Sequence, residues 1–311
     1  MSFSNPDSQN MPTELTDQQF LAALPAYSVP VSLKSAEGQR IRATIRRGLG
    51  HLVLKELIAS LFRGYRGRSR EDVKDYYEAG YVSTGERVAA QHGESGRRVS
   101  YRFLDSWVVE LESRHAEAIA SQIMGNIIED IAPTSLCEVG CGYGRNLLYL
   151  ANRFENVRCS GVELAQSGVD VAHQLQQLDL VNTGYGRFYG LIDRGMDNVR
   201  CTNIVQGSSY KLPLEDASVD MVITCEALEQ MQTGCDQALR EIRRVAGRYA
   251  LFYEPFADGN DWLQRLYLWS RNYFRMPAEQ LRDYGFEPIG LFTHVPVKPT
   301  FAYTFALCRV V

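Results

Sequence analysis

No apolar run in this chain approaches the roughly 20 residues that a membrane-crossing helix needs, and its first thirty residues lack the charged start and apolar centre of a secretory leader. A soluble, cytoplasmic protein is the resulting expectation. The seven cysteines (137, 141, 159, 201, 225, 235, 308) are an odd set without a CxxC pair, which argues against a disulfide framework. Several lie in apolar, strand-like contexts where cysteine serves as a small hydrophobe, so reduced thiols are expected. The five histidines (51, 92, 115, 173, 294) show neither metal-ligand nor triad spacing, and no metal site is expected. Internal repeats and low-complexity segments are absent too. What remains is 311 residues, 45% of them hydrophobic, enough for one large domain plus an extension.

Charge is unevenly placed. From Arg40 to Arg70 nine basic residues face one acidic residue, Glu56, so this stretch carries +8 and the remainder −12 of the net −4. Ile41, Ile45, Leu49, Leu52, Val53, Leu57 and Leu61 recur at helical spacing, which reads as a basic amphipathic helix or helix pair weakened at Gly48 and Gly50. Such a surface suits an anionic membrane, an acidic carrier protein or nucleic acid, and equally a solvated face that balances the acidic body. The solvated face is the preferred reading, and nucleic acid is not expected as a partner.

The polar first dozen residues read as disordered, with a short helix starting at Thr16. Leu104, Val108, Leu111, Ile119, Ile123 and Ile127 mark one face of a long helix from about Leu104 to Ile128. Residues 1–103 are thus expected to form a helical N-terminal cap, and 104–311 the main domain. Beyond Pro133, short apolar runs alternate with helical segments, the pattern of parallel βα units covered on both faces. The final runs, EPIGLFTHV and FAYTFALCRV, suit an antiparallel edge hairpin. The fold class is therefore α/β, a doubly wound, mostly parallel sheet.

One corner of that sheet is unusually bare. In SLCEVGCGYGRNLLYLANRF (Ser135–Phe154), Gly140, Gly142 and Gly144 follow Glu138 where the first strand turns into its helix, the place at which doubly wound sheets bind ligands. Missing Cβ atoms let the backbone turn sharply and lie against a ligand, and the helix N-terminus adds unpaired N–H groups. Arg145 stands where a dinucleotide-binding G-x-G-x-x-G would have its third glycine, which weakens a pyrophosphate reading. Glu163 ends the next strand 19 residues after Gly144, where a carboxylate can accept both hydroxyls of a ribose. The pair points to an unphosphorylated nucleoside cofactor.

CEVGCGYGRNL, GVEL, GSSYKLPLEDASVDMVITCEALEQM and LREIRRV, in this order, resemble the successive motifs of the class I S-adenosylmethionine (SAM)-dependent methyltransferase superfamily. The resemblance covers about Leu104 to Val311 and implies a seven-stranded sheet. It implies SAM as cofactor, with Glu138, Gly140, Gly142 and Gly144 facing the methionine half and Glu163 the ribose. Ser208 and Ser209 would border the adenine, and Cys225 and Glu226 the floor near the sulfonium. Serine replaces the family's frequent aspartate at 208. Gln230 stands where many relatives have histidine, so no general base is legible there.

Tyr76, Tyr77, Tyr81 and Arg102 are candidates for closing the pocket, with Tyr77 and Glu226 the candidate catalytic residues. Two insertions, at about 179–202 (with Tyr185 and Arg187) and 256–277, read as lids or as packing caps. Methyl transfer to an oxygen or nitrogen of a small molecule is the leading expectation. Behind it stand cyclisation of SAM to azetidine-2-carboxylate with release of methylthioadenosine, and SAM binding without catalysis.

Overall fold

The computed structural model describes residues 16–63, 74–81, 98–103, 106–231 and 234–311. Thr16 caps α1 (Asp17–Ala22) through a capping box with Gln19. After the short strand β1 (Val31–Ser32), the basic segment forms one 28-residue helix, α2 (Ala36–Arg63), with Gly48 and Gly50 inside it. Residues 64–70 of the basic stretch, and the first dozen of the chain, lie outside the described residues. Helix α3 covers 74–81.

The helix expected from Leu104 to Ile128 is instead a strand followed by a helix. β2 (Arg98–Phe103) pairs antiparallel with β3 (Trp107–Glu112), β1 pairs with the other side of β3, and α4 (Ser113–Ile131) begins only at Ser113. Val108 and Leu111 imitate a helical stripe, but Trp107, Val108 and Val109 are strand formers, and here cross-strand partners decide. The point between 103 and 104 falls inside this hairpin.

From Pro133 the chain alternates as expected: β4 (Ser135–Val139), α5 (Arg145–Arg153), β5 (Arg158–Glu163), α6 (Gln166–Gln177), α7 (Gly184–Tyr189), α8 (Met196–Cys201), β6 (Asn203–Gln206), β7 (Val219–Cys225), α9 (Cys235–Val245), β8 (Ala246–Glu254), α10 (Trp262–Ser270), β9 (Phe286–Phe292) and β10 (Thr304–Val310). The seven-stranded sheet runs β6-β5-β4-β7-β8-β10-β9, parallel except for β10, which pairs antiparallel with both β8 and β9. Alternate residues feed two cores. Leu136, Met221, Ile223, Leu251 and Phe305 pack on one face, and Cys137, Val222, Phe252 and Ala306 on the other. The chain steps outward from β4 to β5 and β6 and returns to β7 on its other side, so a crevice opens at the carboxyl ends of β4 and β7. No helix among the described residues is long and apolar enough to cross a membrane.

Both insertions make contacts with neighbouring helices. α7 and α8 lie against the α5 side, where the Tyr185 hydroxyl donates to the Arg145 carbonyl at 2.5 Å. α10 lies along α2, joined by Arg46–Asp261 (3.1 Å) and Arg271–Glu56 (3.2 Å) ion pairs.

Candidate active site

The turn after β4 is shaped by what its backbone must do. Gly140, Gly142 and Gly144 hold φ of 77°, 57° and 81°, a left-handed region that side chains resist. A Cβ on Gly140 would stand 2.6 Å from Ala227 Cβ, and one on Gly142 2.9 Å from the Tyr81 hydroxyl. Gly144 supplies the left-handed cap from which α5 starts. Here the crevice encloses about 280 Å³, lined by Gly140 and Gly142 together with Glu138, Glu163, Ser209, Cys225, Glu226, Tyr77 and Tyr81.

Two buried carboxylates flank the glycines. Glu138 Oε1 accepts from Asn146 Nδ2 at 3.2 Å, while Oε2 is buried with no hydrogen-bond partner. Burial pushes this acid up to about 7, against the opposing pull of the Asn146 bond and the Arg145 charge. A buried oxygen without a donor is relieved by a ligand that brings one, above all a cationic one. Glu163 is engaged with backbone: Oε2 accepts from the Gly142 N–H at 2.8 Å and Oε1 from the Ala165 N–H at 2.9 Å. Burial raises its pKa and these bonds restrain the rise. The carboxylate thus sets the glycine turn, and each oxygen keeps a lone pair for a further donor.

The floor comes from the end of β7. Glu226 is a non-glycine residue at φ 56°, pinned by its N–H bond to the Tyr253 carbonyl at 2.9 Å. The next two N–H groups, of Ala227 and Leu228, are held by Glu254 Oε1 at 3.0 and 3.1 Å. Strain of this kind persists only where the surroundings over-determine it, and it aims the Glu226 side chain into the crevice.

The roof is α3. Tyr77 stacks on Tyr81 with ring centroids 5.6 Å apart, and Tyr81 lies against Gly142 and Gly168. Glu78 anchors the helix by accepting from the Gln166 and Ser167 N–H groups, both at 2.8 Å, and so caps α6, whose own Ala165 offers no side-chain cap. Burial, then nearby carboxylates led by Glu229, raise the Tyr77 pKa, so its hydroxyl is a proton donor and not a base.

Of the other expected site residues, most lie elsewhere. Arg102 points into a second cavity, on the far side of Lys298. Tyr185, within α7, packs toward α5 with its hydroxyl on the Arg145 carbonyl, and Arg187 is exposed, bonded to the Asn182 carbonyl. Both had aromatic or basic character that suited a lid, but a buried tyrosine with a backbone partner is an equally good core residue. Tyr76 is 60% exposed beside Tyr77. Ser208 turns its hydroxyl to the Tyr210 N–H at 3.2 Å, while Ser209 lines the crevice. Three residues that the sequence reading did not place there complete the site: Asn146, Tyr143 and Glu229, whose Oε2 accepts from the Tyr303 hydroxyl at 2.5 Å. Asn146 alone carried a signal, as the second residue of the helix that follows the glycines. No metal-binding group of side chains occurs among the described residues.

The comparisons with known proteins agree with this geometry. A family profile described as a methyltransferase domain matches residues 137–252. Norajmaline N-methyltransferase of Rauvolfia serpentina is 27% identical over 123 residues, which are 39% of this chain and 36% of that protein. Fatty-acid O-methyltransferase of Mycolicibacterium smegmatis is 26% identical over 141 residues, 44% of this chain and 43% of that protein. The chain thus spans less than half the length of the curated relatives it matches. Magnesium protoporphyrin IX methyltransferase from Synechocystis, solved with bound SAH, shares the fold with a TM-score of 0.52 and 13% identity, over 78% of this chain and 100% of the other. Residues 137–252 of the chain thus match a methyltransferase domain and are set in a seven-stranded sheet of this order, a fold shared with an S-adenosylmethionine-dependent methyltransferase.

Proposed function

We propose that the chain is an enzyme that uses SAM to methylate an oxygen or nitrogen of a small molecule. The carrying observation is the crevice itself: a glycine cradle between two buried carboxylates, one with an oxygen lacking any partner, under a tyrosine roof. Glu138 and the glycine backbone would hold the methionine half, Glu163 the ribose and Ser209 the adenine side. When bound, the sulfonium supplies an already activated methyl group. The chain must therefore align a nucleophile and exclude water, tasks for Tyr77, Tyr81 and Glu226, and needs little acid–base machinery. The named relatives act on small molecules, one at nitrogen and one at oxygen, which supports the acceptor class. In this reading the enzyme works in the cytoplasm, and the basic α2, which also exposes Leu52, Leu54 and Ile58, is first a solvated face, with an acidic carrier or an anionic surface as the alternative partner.

Product identity tests the reaction. Purified protein with SAM alone is expected to give no turnover above background, and with acceptor to give S-adenosylhomocysteine and methylated product by mass spectrometry. Methylthioadenosine with azetidine-2-carboxylate from SAM alone would replace methyl transfer by cyclisation.

A further inference from the structure

Helices α2 and α10 lie side by side and run in the same direction. The ion pairs Arg46–Asp261 (3.1 Å) and Arg271–Glu56 (3.2 Å) both join residues 215 positions apart in the chain, so Trp262 stands level with Arg47 and Trp269 with Leu54. Leu49, Val53 and Leu263 are buried between the two helices. With β2 and the segment before β10, both helices line one small cavity, and reciprocal backbone bonds between Arg102 and Val297, at 2.9 and 2.7 Å, fix the base on which they rest.

Charge alone would make the outward side of α2 a solvated face, but that side is not charge alone. Opposite Leu49 and Val53, Arg40, Arg47, Leu54 and Ile58 form one stripe at helical spacing with Lys55 beside it, and all five are exposed. On α10 both tryptophans are exposed as well, and exposure reaches 55% at Leu54 and 68% at Trp262. Single apolar residues scattered over a surface need no partner, whereas four on two packed helices mark an interaction site. Tryptophan, an apolar ring with one polar N–H, suits the boundary between hydrocarbon and water. Lysine and arginine beside it complement anionic head groups and lay their apolar stems along the same boundary. Other occupants match only half of this face. An acidic protein answers its cations but not its aliphatic side chains, and a second copy of the chain, packed about a two-fold axis, would set one basic face against another.

We propose that the outward face of α2 and α10 docks on an anionic phospholipid surface, with the aliphatic and tryptophan side chains entering the head-group boundary and Arg40, Arg47 and Lys55 on the lipid phosphates. Docking of this kind requires nothing of the SAM crevice, so it stands whichever reaction the crevice performs.

Flotation of the full-length protein with vesicles of phosphatidylcholine, with and without phosphatidylglycerol, tests it. Binding is expected only to the anionic vesicles and should weaken with salt, and lipids brominated close to the head group should quench part of the tryptophan emission. Arg40→Gln combined with Lys55→Gln should weaken binding about tenfold or more, at about fivefold per charge. Leu54→Glu combined with Ile58→Glu should abolish it. In Trp262→Phe combined with Trp269→Phe the quenching should disappear, because Trp107 is the one tryptophan left. Circular dichroism and melting temperature establish that each variant is folded, and the charge and tryptophan variants decide the matter even if the glutamates unfold α2. No binding of the wild type to anionic vesicles, equal binding to phosphatidylcholine alone, or unchanged binding in all three variants overturns the proposal. Binding without quenching overturns it too, since that is the charge-only contact an acidic protein would make. Self-association of the wild type in ultracentrifugation, reversed by the two glutamates, would give the face to a second copy instead.

Discussion

Glu138 is half-protonated near neutral pH while its second oxygen faces no donor, and this makes the ligand's charge readable by titration. A cationic ligand favours the ionised form, so SAM affinity should rise with pH up to and just beyond about 7, with proton release on binding below that value. Calorimetry in two buffers of different ionisation heat checks it, and Glu138→Gln should abolish the dependence. Glu163→Ala loses the anchor of the Gly142 and Ala165 N–H groups as well as the ribose contact, and SAM affinity should fall about tenfold to a hundredfold. Glu254 has the opposite task, being fully buried to hold the chain after Glu226. Its pKa is pushed up to about 8 by burial. The folded protein therefore holds a proton that the unfolded chain releases between the ordinary value of 4.5 and about 8, and stability must fall as pH rises through that window. In Glu254→Gln, which keeps an acceptor oxygen, the fall of the melting temperature over that range should be shallower.

At the scale of elements, α3 is docked through tyrosine contacts and the Glu78 cap on α6. These backbone bonds lower the Glu78 pKa against the effect of burial. The docking they supply is thus complete above the ordinary carboxylate range and lost as pH falls through the lowered value. Glu78→Ala should increase hydrogen exchange over 74–81 and raise KM for SAM severalfold, with the seven-stranded sheet still protected. Unaltered exchange would mean that the tyrosines suffice. Elements were unevenly legible in the sequence. The βα units announced themselves because burial on both faces writes continuous apolar runs bounded by glycine. β3 did not, because Val108 and Leu111 fit a helical stripe as well as a strand, and only their pairing with β1 and β2 decides. The glycine turn and the Glu163 position were legible from spacing. Glu78 and Lys298 were not, because their partners are 88 and 72 positions away respectively, at Gln166 and Glu226.

For the molecule as a whole, the described N-terminal elements α1 and β1 are packed into the rest of the chain. Phe20, 0% exposed, stacks on Phe103 at 3.8 Å inside the larger apolar cluster, and β1 completes the small sheet. Removing residues 1–100 cuts through β2 and strips this packing, so the shortened chain should bind a hydrophobic dye and melt several degrees lower or fail to stay soluble. A truncated protein with the full melting temperature would show that the large sheet stands alone. The bridge between Arg102 and Val297 has one more implication, for the order in which the chain is made. β2 lies at the margin of the small sheet, and the segment that covers it is synthesised some two hundred residues later. On the ribosome, then, that strand waits about 10 to 40 seconds, at the usual synthesis rate, before its own C-terminal region emerges to cover it.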